Sequence, residues 1–189
     1  MPHLNYPLNV NNILRKKKSI KNKLLINENL KEKNIAILGG STTSEVINIL
    51  ELFLLKNKIK PNFYESEYNK FYEDSLFGNY ELDQFNPDII YIHTNNKNIL
   101  KYPDLSDSFE NVEEILSEQL KIYNEIWSSL SKFNCPIIQN NFDYTEYRSL
   151  GNLDCYDIHG QTYFINRLNN KFSENARNIK NLYINDINY

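Results

Sequence analysis

Apolar positions along this chain follow two rhythms. Short apolar runs recur at "NIAIL" (34–38), "KPNFYE" (60–65), "PDIIYIH" (87–93), "CPIIQNN" (135–141) and "NLYIND" (181–186), which predicts five β-strands. Between them, apolar residues repeat at steps of three and four across Thr42–Lys56, Phe109–Lys132 and Gln161–Asn178, and less regularly across Glu67–Phe85, which predicts helices. Ahead of the first strand, residues 7–33 place Leu14, Ile20, Leu24 and Leu25 at helical spacing among lysines, an amphipathic lead-in. Strands alternating with helices predict an α/β fold: a three-layer, flavodoxin-like sandwich around a five-stranded, mostly parallel sheet. No repeat of 20 to 50 residues interrupts that plan.

In such sheets ligands bind beyond the carboxyl ends of the strands. That rule selects four turns: Gly39–Ser44, Glu65–Tyr68, His93–Lys97 and Gln139–Asp143. The first, "GGSTTSE", fails the G-x-G-x-x-G spacing, lacks the lysine of a P-loop and is not G-x-S-x-G, because residue 43 is Thr. Ser41 nevertheless stands between a strand and a helix, where free backbone N–H groups suit an oxyanion or a bound anion. The alternative is a helix cap made by Ser41 or Thr42, with Glu45 three residues after Thr42 completing a capping box. Across the sheet edge, "HTNN" places His93, Thr94, Asn95 and Asn96 after the third strand, and carboxamides there can complete an oxyanion hole. Ser41, Asn95 and Asn140 are therefore expected in one pocket.

Composition narrows the classes. A chain of 189 residues with 41% hydrophobic and 13% aromatic content can bury one core. The net charge of −3 does not point to nucleic acid, but it is uneven: residues 1–33 carry eight Lys/Arg against Glu28 and Glu32, and the remainder is acidic. The "RKKK" run at 15–18 suits either an anionic partner or a solvated helix face. Two cysteines, Cys135 and Cys155, in no metal-binding spacing and without a leader ahead of them, predict reduced thiols and a cytoplasmic setting, with no metal and no cofactor. No apolar run reaches the roughly 18–20 residues that span a bilayer.

A serine after the first strand paired with an asparagine after a middle strand resembles the SGNH hydrolases, whose first block reads G-D-S and whose third carries Asn. Here the first block is Gly39-Gly40-Ser41 and the third Thr94-Asn95-Asn96. The family's D-x-x-H block has no counterpart; Asp186-Ile187-Asn188-Tyr189 has the spacing but ends in Tyr. More specifically, "KNIAILGGSTTSE", "FYESEYNKFYED", "PDIIYIHTNN", "CPIIQNNFDY", "GNLD" and "TYFINRLN", in this order over about residues 10–189, resemble the N-terminal region of FkbH-like proteins, bacterial members of haloacid dehalogenase subfamily IIIC. That resemblance implies an SGNH-like domain, residues 34–189, preceding a phosphatase-type domain with a D-x-D-x-T motif. It also implies handling of an acyl or glyceryl unit, from a phosphorylated donor, for loading on an acyl carrier protein. This chain contains no D-x-D-x-T, and its end just past the fifth predicted strand is expected of one domain of a longer polypeptide or of a truncated product.

Two functions stand side by side. In the first, Ser41 is an acyl nucleophile, Asn95 donates to the oxyanion, and His93 or a group beyond residue 189 is the base, with Gly40, Thr42, Glu65, Asn96 and Asn140 around the substrate. In the second, the domain is a non-catalytic docking module for a carrier protein or for the phosphatase domain. His93 also suits an orienting or core role, and Glu67 a helix-start charge. His159 and His3 are expected to be solvated, Arg148 and Arg167 to hold a phosphate or surface ion pairs, and Trp127 to be core.

Overall fold

The structure is a computed structural model that describes residues 4–27 and 29–188; His3, Glu28 and Tyr189 lie outside the described residues. The chain runs α1 (Val10–Leu25), β1 (Lys31–Gly39), α2 (Ser44–Lys56), β2 (Ile59–Glu65), α3 (Phe71–Leu76), α4 (Tyr80–Phe85), β3 (Ile89–His93), α5 (Phe109–Leu130), β4 (Ile137–Asn140), α6 (Gln161–Asn178) and β5 (Leu182–Asn185). The five strands form one parallel sheet in the order β2-β1-β3-β4-β5, an order found in flavodoxin-like doubly wound sheets. β1 begins at Lys31, ahead of the apolar run, because its first residues pair in register with Ile59–Pro61 of β2. The irregular 67–85 stretch resolves into two short helices, α3 and α4, separated at Gly78, whose φ of 75° is a left-handed conformation open to glycine.

Parity along the strands sorts side chains to two faces. Ala36, Leu38, Ile90, Ile92 and Ile137 join one large core with α3, α5 and α6. At its centre Tyr123, Trp127, Phe142 and Phe172 interlock, with Trp127 edge-on to Phe172 at 4.9 Å between ring centroids. On the opposite face α2 packs against the β1–β2 side, and α1 lies outside α2 through Ile13 and Ile20 against Leu52. Part of the basic segment's charge is consumed there: Lys17 pairs with Glu45 and Lys21 with Glu51. The same face over β3–β5 has thinner cover, leaving Ile89, Tyr91 and Ile138 half-exposed and Tyr183 exposed. Both cysteines are free thiols. Among the described residues no helix is long and apolar enough to cross a membrane.

Candidate functional site

The turn after β1 is braced from three sides. Gly39 N–H donates to Ser66 Oγ (2.9 Å), Gly40 N–H donates to the His93 carbonyl (2.9 Å), and Asn98 Nδ2 donates to the Gly40 carbonyl (2.9 Å). A Cβ on Gly40 would lie 2.5 Å from Asn98 Nδ2. A side chain at residue 40, such as an aspartate, would have to displace the Asn98 carboxamide. Ser41 is half-buried and Thr42 exposed, and among the described residues the Ser41 hydroxyl makes no hydrogen bond. Neither caps α2. The N-cap is Thr43, whose hydroxyl donates to Glu65 Oε1 (2.5 Å) instead of accepting from the helix. The predicted Thr42–Glu45 capping box is thus absent: the helix starts one residue later, and Glu45 is engaged by Lys17.

The turn after β3 is closed by its own asparagines. Asn95 Oδ1 accepts from Lys97 N–H (3.0 Å), while Asn98 Oδ1 accepts from Asn95 N–H (2.9 Å), a reciprocal cap on the 3-10 turn Asn96–Asn98. That engagement leaves the Asn95 amide N–H groups without an acceptor among the described residues. Asn96 is held to the turn after β4, its N–H donating to Asp143 Oδ1 (2.9 Å) and its Nδ2 to the Tyr144 carbonyl (3.2 Å).

His93 and Asn140 form a separate cluster with Tyr91 and Asn185. Asn140 Nδ2 donates to the Thr94 carbonyl (3.3 Å), which fixes the orientation of the amide, and the same group lies 3.0 Å from His93 Nδ1. Asn140 Oδ1 accepts from Tyr91 Oη (2.9 Å) and Asn185 Nδ2 (2.8 Å). The Nδ1 lone pair of His93 is therefore filled, and its proton sits on Nε2. Burial pushes the His93 imidazole below its ordinary value, with Asp143 partly opposing, so the ring is neutral near pH 7. Beneath this edge Trp127 Nε1 donates to Gln139 Oε1 (3.2 Å), and Gln139 Nε2 donates to Thr94 Oγ1 (2.8 Å), fixing the ends of β3 and β4 from inside the core.

Of the predicted site residues, Gly40, Ser41, His93, Asn95 and Asn96 occupy the adjoining turns of β1 and β3, and Glu65 joins them through Thr43. A cleft of about 460 Å³ beside them is lined by Asn95, Asn96, Lys97, Asp143, Tyr147 and Gln161, without Ser41 or Asn140. Asn140 follows β4 at the same edge, but its amide is spent on Thr94, His93, Tyr91 and Asn185. His159 is half-buried and both its ring nitrogens are engaged: its Nδ1 pairs with Asp157 (2.8 Å) and its Nε2 lies 3.0 Å from the Asp107 carbonyl. Arg167 is committed to a two-pronged pair with Glu113, and Arg148 is exposed. Among the described residues no three His, Cys, Asp or Glu side chains are grouped to hold a metal.

The family model for the FkbH N-terminal domain matches residues 34–189. The chain belongs to this family. Among solved structures the FkbH domain is similar to the N-terminal part of a Bacteroides fragilis protein, BF1531, which contains a phosphatase domain and is complexed with Mg; the TM-score is 0.73 at 18% identity. That match covers 91% of this chain and 45% of the other, so the chain spans under half of it. A putative acylhydrolase from Bacteroides fragilis (TM-score 0.48, 12% identity, 94% of this chain and 77% of that one) and a GDSL-like lipase from Bacteroides thetaiotaomicron (0.48, 11%, 90% and 77%) also match. No curated protein matches the sequence. In this FkbH domain the residue that sequence reasoning missed is Asn98. Its signal was the fourth polar position of "NNKN", one residue past the turn selected by the strand-end rule.

Proposed function

We propose that this FkbH N-terminal domain is an acyl-handling module. It holds an acyl or glyceryl unit, delivered by a carrier protein or from a phosphorylated donor, at the carboxyl edge of the sheet. Ser41 contacts the unit and the Asn95 amide donates to one of its oxygens. A phosphatase-type domain, of the kind present in the Bacteroides fragilis protein, is the proposed partner, and the setting is cytoplasmic.

The observation that carries handling over self-sufficient hydrolysis is the state of the two described histidines. A serine nucleophile needs a neighbouring base with a free lone pair, and His93 Nδ1 faces Asn140 while both nitrogens of His159 are engaged. One specific observation favours a second reading, in which Ser41 is a nucleophile whose base arrives from another domain: its hydroxyl is uncommitted among the described residues, unlike the Thr43 hydroxyl beside it.

The test compares the parent chain with Ser41→Ala, measuring hydrolysis of a small aryl ester and binding of an S-acyl-N-acetylcysteamine. Binding without turnover, weakened several-fold by Ser41→Ala, is the expected result. Turnover by the parent that Ser41→Ala abolishes would replace handling by catalysis, and absence of binding by the parent would remove the proposal.

A further inference from the structure

The buried positions of α5 carry one carboxamide among hydrophobic side chains. Val112, Ile115, Leu116, Tyr123, Ile126, Trp127 and Leu130 are buried, and Gln119 stands among them at 3% exposure. A buried amide is costly unless both its ends are paired. Gln119 satisfies only one: its Oε1 accepts from Leu100 N–H (2.8 Å). A backbone donor admits only an oxygen there, so the orientation is fixed and Nε2 occupies the other side. Among the described residues Nε2 has no acceptor, and it is not among the fully enclosed unpaired atoms. Gln119 lines a cleft of about 370 Å³ between α3, α5 and the turn after β3, within the size range of small-molecule sites.

The rest of that cleft has a consistent chemistry. Phe71, Ile122 and the Tyr123 ring make an apolar floor, and Lys97 stands at the mouth with no ion pair among the described residues. Asn98 forms the wall shared with the candidate site, since its Nδ2 is the group bonded to the Gly40 carbonyl. Glu73 is the acidic member of the lining and is exposed at the rim. Two donors without acceptors, one buried and one cationic, above an apolar floor suit a ligand with an oxygen acceptor at one end and a short hydrocarbon at the other.

We propose that this cleft is the acyl pocket of the domain: a short-chain acyl group lies on Phe71, Ile122 and Tyr123, and its carbonyl or carboxylate oxygen accepts from Gln119 Nε2 and Lys97. The inference rests on the acyl-handling reading and adds where the acyl chain lies and what limits its length. The cleft meets the turn after β1 at Asn98 and adds a buried donor outside the candidate edge.

Two variants separate this role from a structural one. Gln119→Glu keeps the oxygen that accepts from Leu100 N–H but replaces the donor with a second carboxylate oxygen. Ile122→Trp, at a half-buried floor position, fills the cleft. Nuclear magnetic resonance titration of the 189-residue chain with S-butyryl-N-acetylcysteamine is expected to shift the Gln119 side-chain amide signals saturably. Each variant should weaken binding about tenfold or more while retaining the parent's dispersed spectrum, and an S-decanoyl probe should bind the parent more weakly than the butyryl one. Parent-like affinity in folded Ile122→Trp, or unmoved Gln119 amide signals at saturation, would overturn the pocket. If Ser41→Ala then abolishes binding that the cleft variants leave intact, acyl handling survives and the pocket assignment alone fails. If no probe binds the parent, both fall.

Discussion

The two faces of the sheet are built to different standards. The face under α5 and α6 is filled by interlocked aromatic rings, and a polar chain from Trp127 through Gln139 to Thr94 fixes the strand ends beside the candidate site. The face under α2 is covered over β1 and β2, but over β3–β5 it leaves Tyr91, Ile138 and Tyr183 partly in solvent. Stability and site geometry are thus concentrated on one side, while the other holds the engaged His93–Asn140 cluster. A residue's effect on the site should depend more on its face than on its distance along the chain.

The largest effect that would break this asymmetry is at Trp127. Trp127→Ala removes a fully buried ring and is expected to cost about 3–5 kcal/mol, followed by circular dichroism in urea because Trp127 is the chain's single tryptophan. Should the alanine variant fail to fold, Trp127→Phe keeps most of the bulk and leaves Gln139 Oε1 unpaired, for an expected loss of about 1–3 kcal/mol. A loss below 0.5 kcal/mol for the alanine variant would end the claim that this face dominates.

Next comes the edge itself. Gly40→Ala pushes a methyl into the Asn98 carboxamide, and the displacement is expected to cost about 1–3 kcal/mol. Pairing it with Asn98→Ala, which opens that space, should recover part of the loss in a double-mutant cycle. Strict additivity would show that the two residues do not meet.

The histidines sharpen the comparison through pH, with opposite signs. His93 is depressed by burial below the ordinary 6.5, so the unfolded chain binds its proton more readily. Its contribution is intact above that value and is lost as pH falls through the folded value. His159 is raised, first by the Asp107 carbonyl and then by Asp157. Its contribution is complete below the ordinary value and is lost as pH rises through the folded one. Urea midpoints between about pH 5 and 8 should lose their acid-side decline in His93→Gln and their alkaline-side decline in His159→Gln. Unchanged slopes in both variants would contradict these environments.

The smallest effect is expected at Tyr183, 56% exposed on the thinly covered face, where Tyr183→Ser should change stability by no more than about 0.5 kcal/mol. A thermal melt that drops by many degrees would show that this face is covered in solution.

Much of this plan is written in local pattern. The short apolar runs announce five strands because parallel strands covered by helices need near-continuous apolar stretches, and the strand-end rule places Gly40, Ser41, His93 and Asn95 at the carboxyl edge of the sheet without knowledge of the strand order. What is not local is not legible. That Thr43 turns its hydroxyl to Glu65, and not to the helix, depends on β2 lying beside β1. That Asn98 fills the space beside Gly40 depends on β3 lying on the other side of β1. Gln119 is a polar letter in an apolar stripe, visible in the sequence, but only the neighbouring Leu100 N–H shows that half of its amide is left facing a cleft.

The position of β1 has a consequence in time as well as space. It precedes every other strand in the chain, yet it is hydrogen-bonded on both flanks, Ile35 pairing with Phe63 on one side and Ile89 on the other. Neither ladder can close until a helical crossover has been traversed, and contacts between such separated segments are slow to form. Assembly must therefore proceed outward from an early-made but late-satisfied strand. Until β3 arrives, the apolar Ile35–Leu38 segment is an open template for pairing with other chains.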